Sequence, residues 1–286
     1  MSVQNIRVAL GIIVSWCSLW GFVKDSTCSA GEGFPTTVMW ATVKVVNPGS
    51  TATAVLVRSP EGKPVLLSAN HVFSAMQGDE CTVILHRRDE SGRFQTNPKP
   101  LTIRREGKPL WRKHPTVDLA AISVPFSEED NLAVLPWESL ASTEDLEQIA
   151  LQPGDTVRGV GFPHGNAFKG SPLEFGVVRM GCLAGYPFLP VEPGRTFLVD
   201  MNIFEGDSGG PLYAWNLQDA AEVHRGANKD GLILGVMIAQ HFVDEEYKLI
   251  YATGKYRHRM GLAIVAPAPF AREIVESIGK EEPPAS

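Results

Sequence analysis

A serine set among glycines is the feature of this sequence with the clearest chemical potential. Residues 205–212 read EGDSGGPL, with the serine at position 208. A hydroxyl attacks poorly at neutral pH unless a base takes its proton, and the attacked carbonyl needs donors for the charge that develops on its oxygen. Glycines permit a turn that brings backbone N–H groups, here those of Gly206 and Ser208, into one small cavity. The segment therefore predicts a nucleophile at Ser208 with an oxyanion hole beside it.

Three segments of the chain together resemble the trypsin/chymotrypsin-like serine peptidases. They are GDSGGPL at 206–212, LSANHV at 67–72 and DLAAI at 118–122. The family order of histidine, aspartate and serine is kept, and the separations of 47 and 90 residues are close to those of the family. The resemblance extends over roughly residues 37–278. It implies an all-β fold of two packed six-stranded antiparallel β-barrels with a C-terminal helix, and a serine endopeptidase activity.

The resemblance also implies a role for each matching residue. His71 acts as general acid and base, Asp118 orients the imidazole, and Ser208 forms the acyl-enzyme. The N–H groups of Gly206 and Ser208 form the oxyanion hole. The remaining histidines are expected to be surface or packed residues: His86, His114, His164, His224, His241 and His258.

The sequence departs from trypsin itself at two places. No Ile-Val-Gly-Gly activation sequence follows the N-terminal segment, so Asp207 lacks the partner that it has in trypsin. Because a buried unpaired carboxylate is costly, Asp207 must find donors or a cation elsewhere. In addition, residues 50–54 read STATA where family members often carry Gly-x-Gly. Both departures place the chain nearer the divergent bacterial trypsin-like peptidases.

Substrate specificity is predicted by position relative to Ser208. Asn202 is expected at the base of the primary pocket, and Ile238, Ala239 and Gln240 are expected to supply a wall. Since no carboxylate stands at the pocket base, a small or medium apolar residue is favoured over arginine or lysine. Asn202 could equally cap a turn.

Short β segments separated by Gly- and Pro-containing turns run along most of the chain. The first predicted strand is Thr37–Val46, and the last two are Leu232–Ala239 and Gly261–Val265. A short helix is predicted to begin after Ser142, and a terminal helix is predicted over Pro269–Ile278. The predicted organisation is an N-terminal barrel at 31–126, a linker at 127–152, a C-terminal barrel with its helix at 153–279, and a disordered tail at 280–286.

The N-terminus resembles a targeting segment. An apolar run, Val8–Val23, follows Arg7, and small residues precede Gly31. We therefore predict a signal peptide over residues 1–30 and a secreted or periplasmic protein, with a retained signal anchor as the alternative. After signal removal no membrane association is expected.

The expected partner is a protein or peptide substrate. A net charge of -6 gives no broad basic surface for nucleic acid. Neither a metal nor another cofactor is predicted, because Cys81 and Cys182 have no second ligand at a short spacing. Whether these two cysteines pair, and how many copies of the chain associate, stays open.

Two other interpretations compete with the peptidase. The first is a catalytically silent binding protein on the same fold. The second is an α/β-hydrolase esterase, since residues 206–210 also satisfy Gly-x-Ser-x-Gly. That fold needs the order Ser, Asp, His and a helix after the serine, whereas Pro211 and a β-like segment follow here.

Overall fold

A computed structural model describes residues 33–88, 91, 94–126, 130, 132–166, 175–192, 195–216 and 230–280 of the chain. The predicted signal segment, most of the predicted tail and His224 lie outside these ranges. The helices are α1 (Phe34–Ala41), α2 (Asn70–Ala75), α3 (Thr143–Ile149) and α4 (Ala268–Gly279), with 3₁₀ turns at Trp137–Ser139 and Pro163–Asn166. The strands are β1 (Thr42–Asn47), β2 (Ser50–Arg58), β3 (Pro64–Ala69), β4 (Glu80–Arg88), β5 (Phe94–Thr102), β6 (Arg104–Arg105), β7 (Lys108–Pro109), β8 (Arg112–Lys113), β9 (Leu119–Ser123), β10 (Thr156–Gly161), β11 (Val177–Leu183), β12 (Phe197–Asp200), β13 (Pro211–Trp215), β14 (Gly231–Leu249) and β15 (Ala252–Pro267). Within these ranges, no helix combines the length and the apolar character that crossing a bilayer requires.

The C-terminal half confirms one of the two predicted barrels. Six antiparallel strands close in the order β10-β11-β12-β15-β14-β13, and the pairing of Arg158 with Tyr213 joins the first strand to the last. Alternate side chains fill the interior, among them the buried Val157, Val199 and Leu212. A closed barrel leaves no free strand edge, which suits a chain of short strands.

The N-terminal half forms a seven-stranded antiparallel sheet, so the predicted second six-stranded closed barrel is not confirmed. The strand order is β5-β4-β1-β2-β3-β9-β8, and within the described residues the edge strands β5 and β8 do not pair with each other. The edge strand β5 contains Pro98 and Pro100, which have no N–H to donate to a further strand. The opposite edge strand β8 is only two residues long, Arg112 and Lys113. Both edges therefore offer little for closure.

The prediction of a strand over Thr37–Val46 was wrong in its first half. Residues Phe34–Ala41 form α1, and the strand begins only at Thr42. Pro35 lies in the first helical turn, where its missing N–H costs nothing. Val38 and Ala41 are buried in the core, so tertiary packing overrides the strand preference of this Thr- and Val-containing segment.

The two predicted helices are confirmed. Ser142 caps α3 in a capping box, its hydroxyl accepting from the N–H of Asp145 while the Asp145 carboxylate accepts from the N–H of Ser142. The expected face of α4, formed by Phe270, Ile274 and Ile278, is buried in the same core as the N-terminal sheet.

Helices α1 and α4 each pack against the other half of the molecule. Helix α4, which follows the C-terminal barrel, packs against β9 and β3 of the N-terminal sheet. There the buried ring of His114 lies with Nε2 3.1 Å from the Glu273 carboxylate. In return, Phe34 of α1 stacks edge-on against Tyr213 of the C-terminal barrel at 6.0 Å. Each half is thus completed by an element from the other end of the sequence.

Strands β14 and β15 are far longer than predicted. Beyond the barrel they continue as a two-stranded hairpin, with pairing from Phe242 and Arg259 out to Leu249 and Ala252. This extension contains several charged residues and no continuous apolar run of the kind that marks a buried strand, and the sequence prediction therefore stopped at Ala239.

Candidate functional site

His71 and Asp118 are in direct contact. Nδ1 of His71 lies 2.6 Å from Oδ2 of Asp118, and the backbone N–H of His71 donates to Oδ1 at 2.9 Å. An ionised carboxylate only accepts hydrogen bonds, so Nδ1 carries the proton and Nε2 is left as the acceptor of the neutral ring. The contact therefore fixes both the orientation and the tautomer of the imidazole.

The register of the N-terminal sheet produces this contact. Strands β3 and β9 are antiparallel neighbours, and their last pair is Ala69 with Leu119. His71 lies two residues past the end of β3, in the first turn of α2, and Asp118 immediately precedes β9. The N–H of Asn70 also donates to the carbonyl of Asp118 at 3.2 Å, which holds the two strand ends together.

The turn around Ser208 leaves two backbone donors unused. The N–H of Asp207 donates to the carbonyl of Phe204, that of Gly209 to Met237, and that of Gly210 to Asp207, at 2.8–3.0 Å. By contrast, the N–H groups of Gly206 and Ser208 donate to no acceptor among the described residues. These are the two donors that sequence analysis assigned to the oxyanion hole.

Glycine is required on both sides of this serine. Gly206 has φ +97°, and a Cβ there would lie 2.3 Å from the carbonyl oxygen of Phe162. Gly209 has φ +89°, and a Cβ there would lie 2.0 Å from both the Ser68 hydroxyl and the carbonyl oxygen of Thr53. Side chains at either position would move the turn.

Thr53 joins the turn that carries Ser208 to the N-terminal sheet. Its buried hydroxyl donates to the carbonyl of Gly206 at 2.6 Å and accepts from the N–H of Phe162 at 3.0 Å. Its N–H donates to the carbonyl of Ser208 at 3.0 Å, and its own carbonyl accepts from the Ser68 hydroxyl at 2.7 Å. Thr53 belongs to the STATA segment that sequence analysis noted only as a departure, so its role was missed.

Arg179 on β11 is the cation that Asp207 requires. The Asp207 carboxylate is fully buried, and its Oδ2 accepts from the Arg179 guanidinium and, at 2.7 Å, from the N–H of Phe204. Burial raises the pKa of Asp207, while the positive charge of Arg179 opposes that rise. The other oxygen, Oδ1, is buried and has no hydrogen-bond partner among the described residues. The ion pair therefore anchors the turn directly beside Ser208.

The structure thus joins two of the three predicted catalytic residues and leaves the third, Ser208, without a direct hydrogen bond to them. His71 and Asp118 are paired, and the turn of Ser208 packs against Ser68, three residues before His71. Within the described ranges the Ser208 hydroxyl makes no hydrogen bond, so the serine–histidine contact that general-base catalysis requires is not formed here. In unliganded sites such contacts are often long and tighten once substrate binds.

The predicted specificity residues have different surroundings. Asn202 and Ala239 are exposed and Gln240 is half-buried, but Ile238 packs inside the core that joins the two halves. Ala239 and Gln240 are therefore the members of this strand that can face a substrate.

Phe204, two residues before Gly206, lies under two guanidinium groups that sequence analysis did not place. Those of Arg179 and Arg259 are 5.0 and 4.6 Å from its ring centroid. The charge of Arg179 is balanced by Asp207, so Arg259 supplies a positive charge to this side of the site.

Two further histidines and both cysteines of the described chain lie outside this site. His86 is stacked on Phe175 at 4.1 Å, and His258 contacts Glu245 at 2.8 Å. Cys81 and Cys182 are free thiols, and burial raises the pKa of Cys81 to about 12. In the part of the chain that the structure covers, no cluster of three His, Cys, Asp or Glu side chains could hold a metal ion.

Comparison with known proteins identifies the fold. No protein-family model matches the chain, and no curated protein sequence matches it significantly. Among solved structures, human heparin binding protein is similar at 12% identity over 87% of this chain and 96% of that chain, with a TM-score of 0.50. An inactive form of the Rv3671c protease from M. tuberculosis is similar at 18% identity over 85% and 91% of the two chains, with a TM-score of 0.44.

The chain therefore has a trypsin/chymotrypsin-like fold in a divergent form. The closed six-stranded barrel, the antiparallel sheet before it and the terminal helix agree with this class. At these identities the likeness concerns the fold alone, and the chemistry has to be argued from the site.

Proposed function

We propose that this protein is a serine endopeptidase in which Ser208 is the nucleophile, His71 the general acid and base, and Asp118 the orienting carboxylate. The proposal requires the Ser208 hydroxyl to engage Nε2 of His71 when a peptide binds. His71 is held with Nε2 free for that purpose, because Nδ1 is bonded to Asp118.

The chemistry follows from these positions. His71 takes the proton of Ser208 while its oxygen attacks the peptide carbonyl, and Asp118 stabilises the imidazolium that forms. The oxygen of the tetrahedral intermediate accepts from the N–H groups of Gly206 and Ser208. His71 then gives its proton to the leaving amine, and water hydrolyses the acyl-enzyme by the same steps in reverse roles.

The observation that carries the proposal is the pair of unused N–H groups, those of Gly206 and Ser208, on either side of the bonded N–H of Asp207. Two backbone donors that bond no acceptor of the described chain are available to the oxygen of a bound peptide. Removing one such donor typically raises a barrier by about 3 kcal/mol, so a turn built to present two has a large catalytic effect.

A fluorophosphonate probe tests the proposal, because it reacts only with an activated serine. We expect wild-type protein to be labelled at Ser208, and Ser208→Ala to abolish labelling. Ser277→Ala serves as the matched control, since Ser277 lies on α4 and donates to the carbonyl of Ile274. Folded wild-type protein that takes no label, with or without peptide present, would refute the assignment.

A binding protein on the same fold is the second candidate. The human neighbour is named for binding heparin, so this fold is not restricted to enzymes. Here the retained His71–Asp118 contact favours the enzyme, because ligand binding alone needs no oriented imidazole. Binding of a ligand that is unaffected by Ser208→Ala, together with no labelling, would favour this alternative.

We further propose that the natural substrate is a protein or peptide outside the cytoplasm, cleaved after a small or medium apolar residue. Ala239 and Gln240 are accessible to a substrate, and no carboxylate stands at position 202. Cleavage of a peptide library, with Ser208→Ala as the control, measures this preference. N-terminal sequencing of the exported protein tests cleavage after Ala30.

A further inference from the structure

The hairpin formed by residues 242–259, called here the distal hairpin, has no supporting strand among the described residues. Pairing of β14 with β13 ends at Val236, and pairing of β15 with β12 ends at Leu262. From Phe242 and Arg259 onward the two strands pair with each other and with no other strand that the structure describes. Seven steps at about 3.3 Å per residue give the hairpin a reach of about 23 Å from the barrel.

Cross-strand ion pairs stiffen the shaft of the distal hairpin. Both carboxylate oxygens of Asp244 accept from Arg257, at 2.7 and 2.9 Å. Glu246 pairs with Lys255 at 3.0 Å, and Glu245 contacts His258 at 2.8 Å. Since a lone two-stranded hairpin is marginal in water, these contacts hold the hairpin in an extended position.

The tip of the distal hairpin is apolar and open to solvent. Ile250 and Tyr251 form the two-residue turn, and they are 90% and 98% exposed. Tight hairpin turns favour Asn, Asp and Gly. Neither residue has a positive φ, so no special backbone conformation explains their presence. Two large apolar side chains therefore stand at this turn although neither burial nor the backbone conformation of the turn requires them.

The charge nearest the tip in sequence, that of Lys248, has the opposite sign to the protein as a whole. The chain carries a net charge of -6, yet no carboxylate lies closer to the turn than Glu246. Lys248 lies within two residues of the turn and forms no ion pair among the described residues. Tyr247, which is half exposed, adds a second aromatic ring on the same end.

We propose that the distal hairpin inserts its tip into the surface of an anionic lipid bilayer. Ile250 and Tyr251 enter the boundary between headgroups and acyl chains, where the tyrosine keeps its hydroxyl in water. Lys248 stays at the level of the anionic headgroups, as lysines do beside inserted apolar residues. A narrow convex tip suits a deformable bilayer better than a protein surface, which would need a matching pocket. The barrel would then stand about 23 Å from the lipid.

Insertion of the tip can be measured with an environment-sensitive fluorescent amino acid in place of Tyr251. The matched control has the same fluorophore in place of Tyr186, an 81% exposed tyrosine of the C-terminal half. Vesicles of phosphatidylcholine alone are compared with vesicles containing about a third phosphatidylserine. The fluorophore reports on the tip itself, whether or not the apolar run Val8–Val23 also holds the chain to the vesicle.

We expect a blue shift and a gain in intensity at 251 on phosphatidylserine vesicles, little change on neutral ones, and none at 186. Ile250→Ser with Tyr251→Ser should lower vesicle affinity by about ten- to a hundredfold, because two large apolar side chains lose their burial. Tyr186→Ser should leave it unchanged, and circular dichroism checks that each variant is folded. An unshifted fluorophore at 251, an equal shift at 186, or unchanged affinity of the double variant would each overturn the proposal. Burial of the fluorophore only in the presence of a protein would assign the tip to a protein partner instead, and would likewise overturn it.

Discussion

Replacing Arg179 with methionine isolates the electrostatic support of the turn that carries Ser208. Methionine keeps an apolar side chain of similar length against Phe204 but removes the only cation paired with Asp207 among the described residues. Asp207 is fully buried, and its remaining donor is the N–H of Phe204. Breaking a buried ion pair from one side typically costs about 3–5 kcal/mol, and loss of the guanidinium–aromatic contact adds about 0.5–1 kcal/mol. Because whole domains are stable by about 5–15 kcal/mol, Arg179→Met should remove a large share of the stability.

The pH dependence of this loss has a defined sign. Burial raises the pKa of Asp207, so the stability associated with its neutral form is present at low pH and is lost as the pH rises through the raised pKa. Arg179 limits that loss, and without it the pKa rises further. The deficit of Arg179→Met against wild type should therefore be smallest at low pH, where Asp207 is protonated, and should grow as the pH rises.

Urea unfolding at several pH values, followed by tryptophan fluorescence, measures these free energies. Arg179→Met combined with Asp207→Asn should recover most of the stability, since the uncompensated charge is gone. Fluorophosphonate labelling should fall in both variants, because the turn that presents Gly206 and Ser208 has lost its anchor. A deficit below about 1 kcal/mol at neutral pH, or one that does not change with pH, would refute this account of the turn.

Three further predictions follow from single contacts. Asp118→Asn should lower peptide hydrolysis by about 10⁴-fold without large loss of stability, since an amide can hold the wrong imidazole tautomer; kcat measurements and thermal unfolding separate the two effects. Gly206→Ala should abolish labelling, because its Cβ would lie 2.3 Å from the carbonyl of Phe162, and retained labelling would contradict the proposed oxyanion hole. With its pKa at about 12 instead of 9.0, buried Cys81 should carry about a thousandth of the ordinary thiolate at pH 8. Iodoacetamide should therefore modify Cys182 well before Cys81 in native protein, as peptide mass mapping would show; equal rates would mean that Cys81 is accessible.

Local chemistry made much of the site predictable. The glycines around Ser208, the strand end at His71 and the strand start at Asp118 are short-range signals. Because β3 and β9 are antiparallel neighbours, their register brings His71 and Asp118 into contact. The helices α3 and α4 were likewise marked by a capping box and a four-residue apolar repeat.

Long-range partners were less accessible to sequence reasoning. The need of Asp207 for a cation was foreseen, but many basic residues could have met it, and only the pairing of β10 with β11 places Arg179 there. Strand alternation in VVRMG, which places Arg179 on the face opposite the exposed Val178 and Met180, was the available signal. Thr53 gave no signal, because a buried threonine in a strand looks the same whether its hydroxyl bonds its own sheet or a turn 153 residues away.

The open N-terminal sheet and the long hairpin were missed for a different reason. Whether a sheet closes depends on its edge strands. The two prolines of β5 remove N–H donors from one edge, and the family resemblance carries no information about them. The extension of β14 past the barrel has no apolar face, so the pattern of a buried strand ends where the barrel ends.

The packing of α1 and α4 against the opposite halves of the molecule has a consequence for how the protein folds during synthesis. Phe34 packs against the C-terminal half, and the N-terminal sheet is covered by α4, where His114 meets a residue 159 positions later. During synthesis the sheet that carries His71 and Asp118 must therefore wait, partly uncovered, until α4 has been made. A chain truncated before α4 would expose the apolar surface that Phe270, Ile274 and Ile278 otherwise cover, which quality-control chaperones recognise. Two separately made halves should for the same reason be unstable alone and associate when mixed, each supplying the other's missing piece.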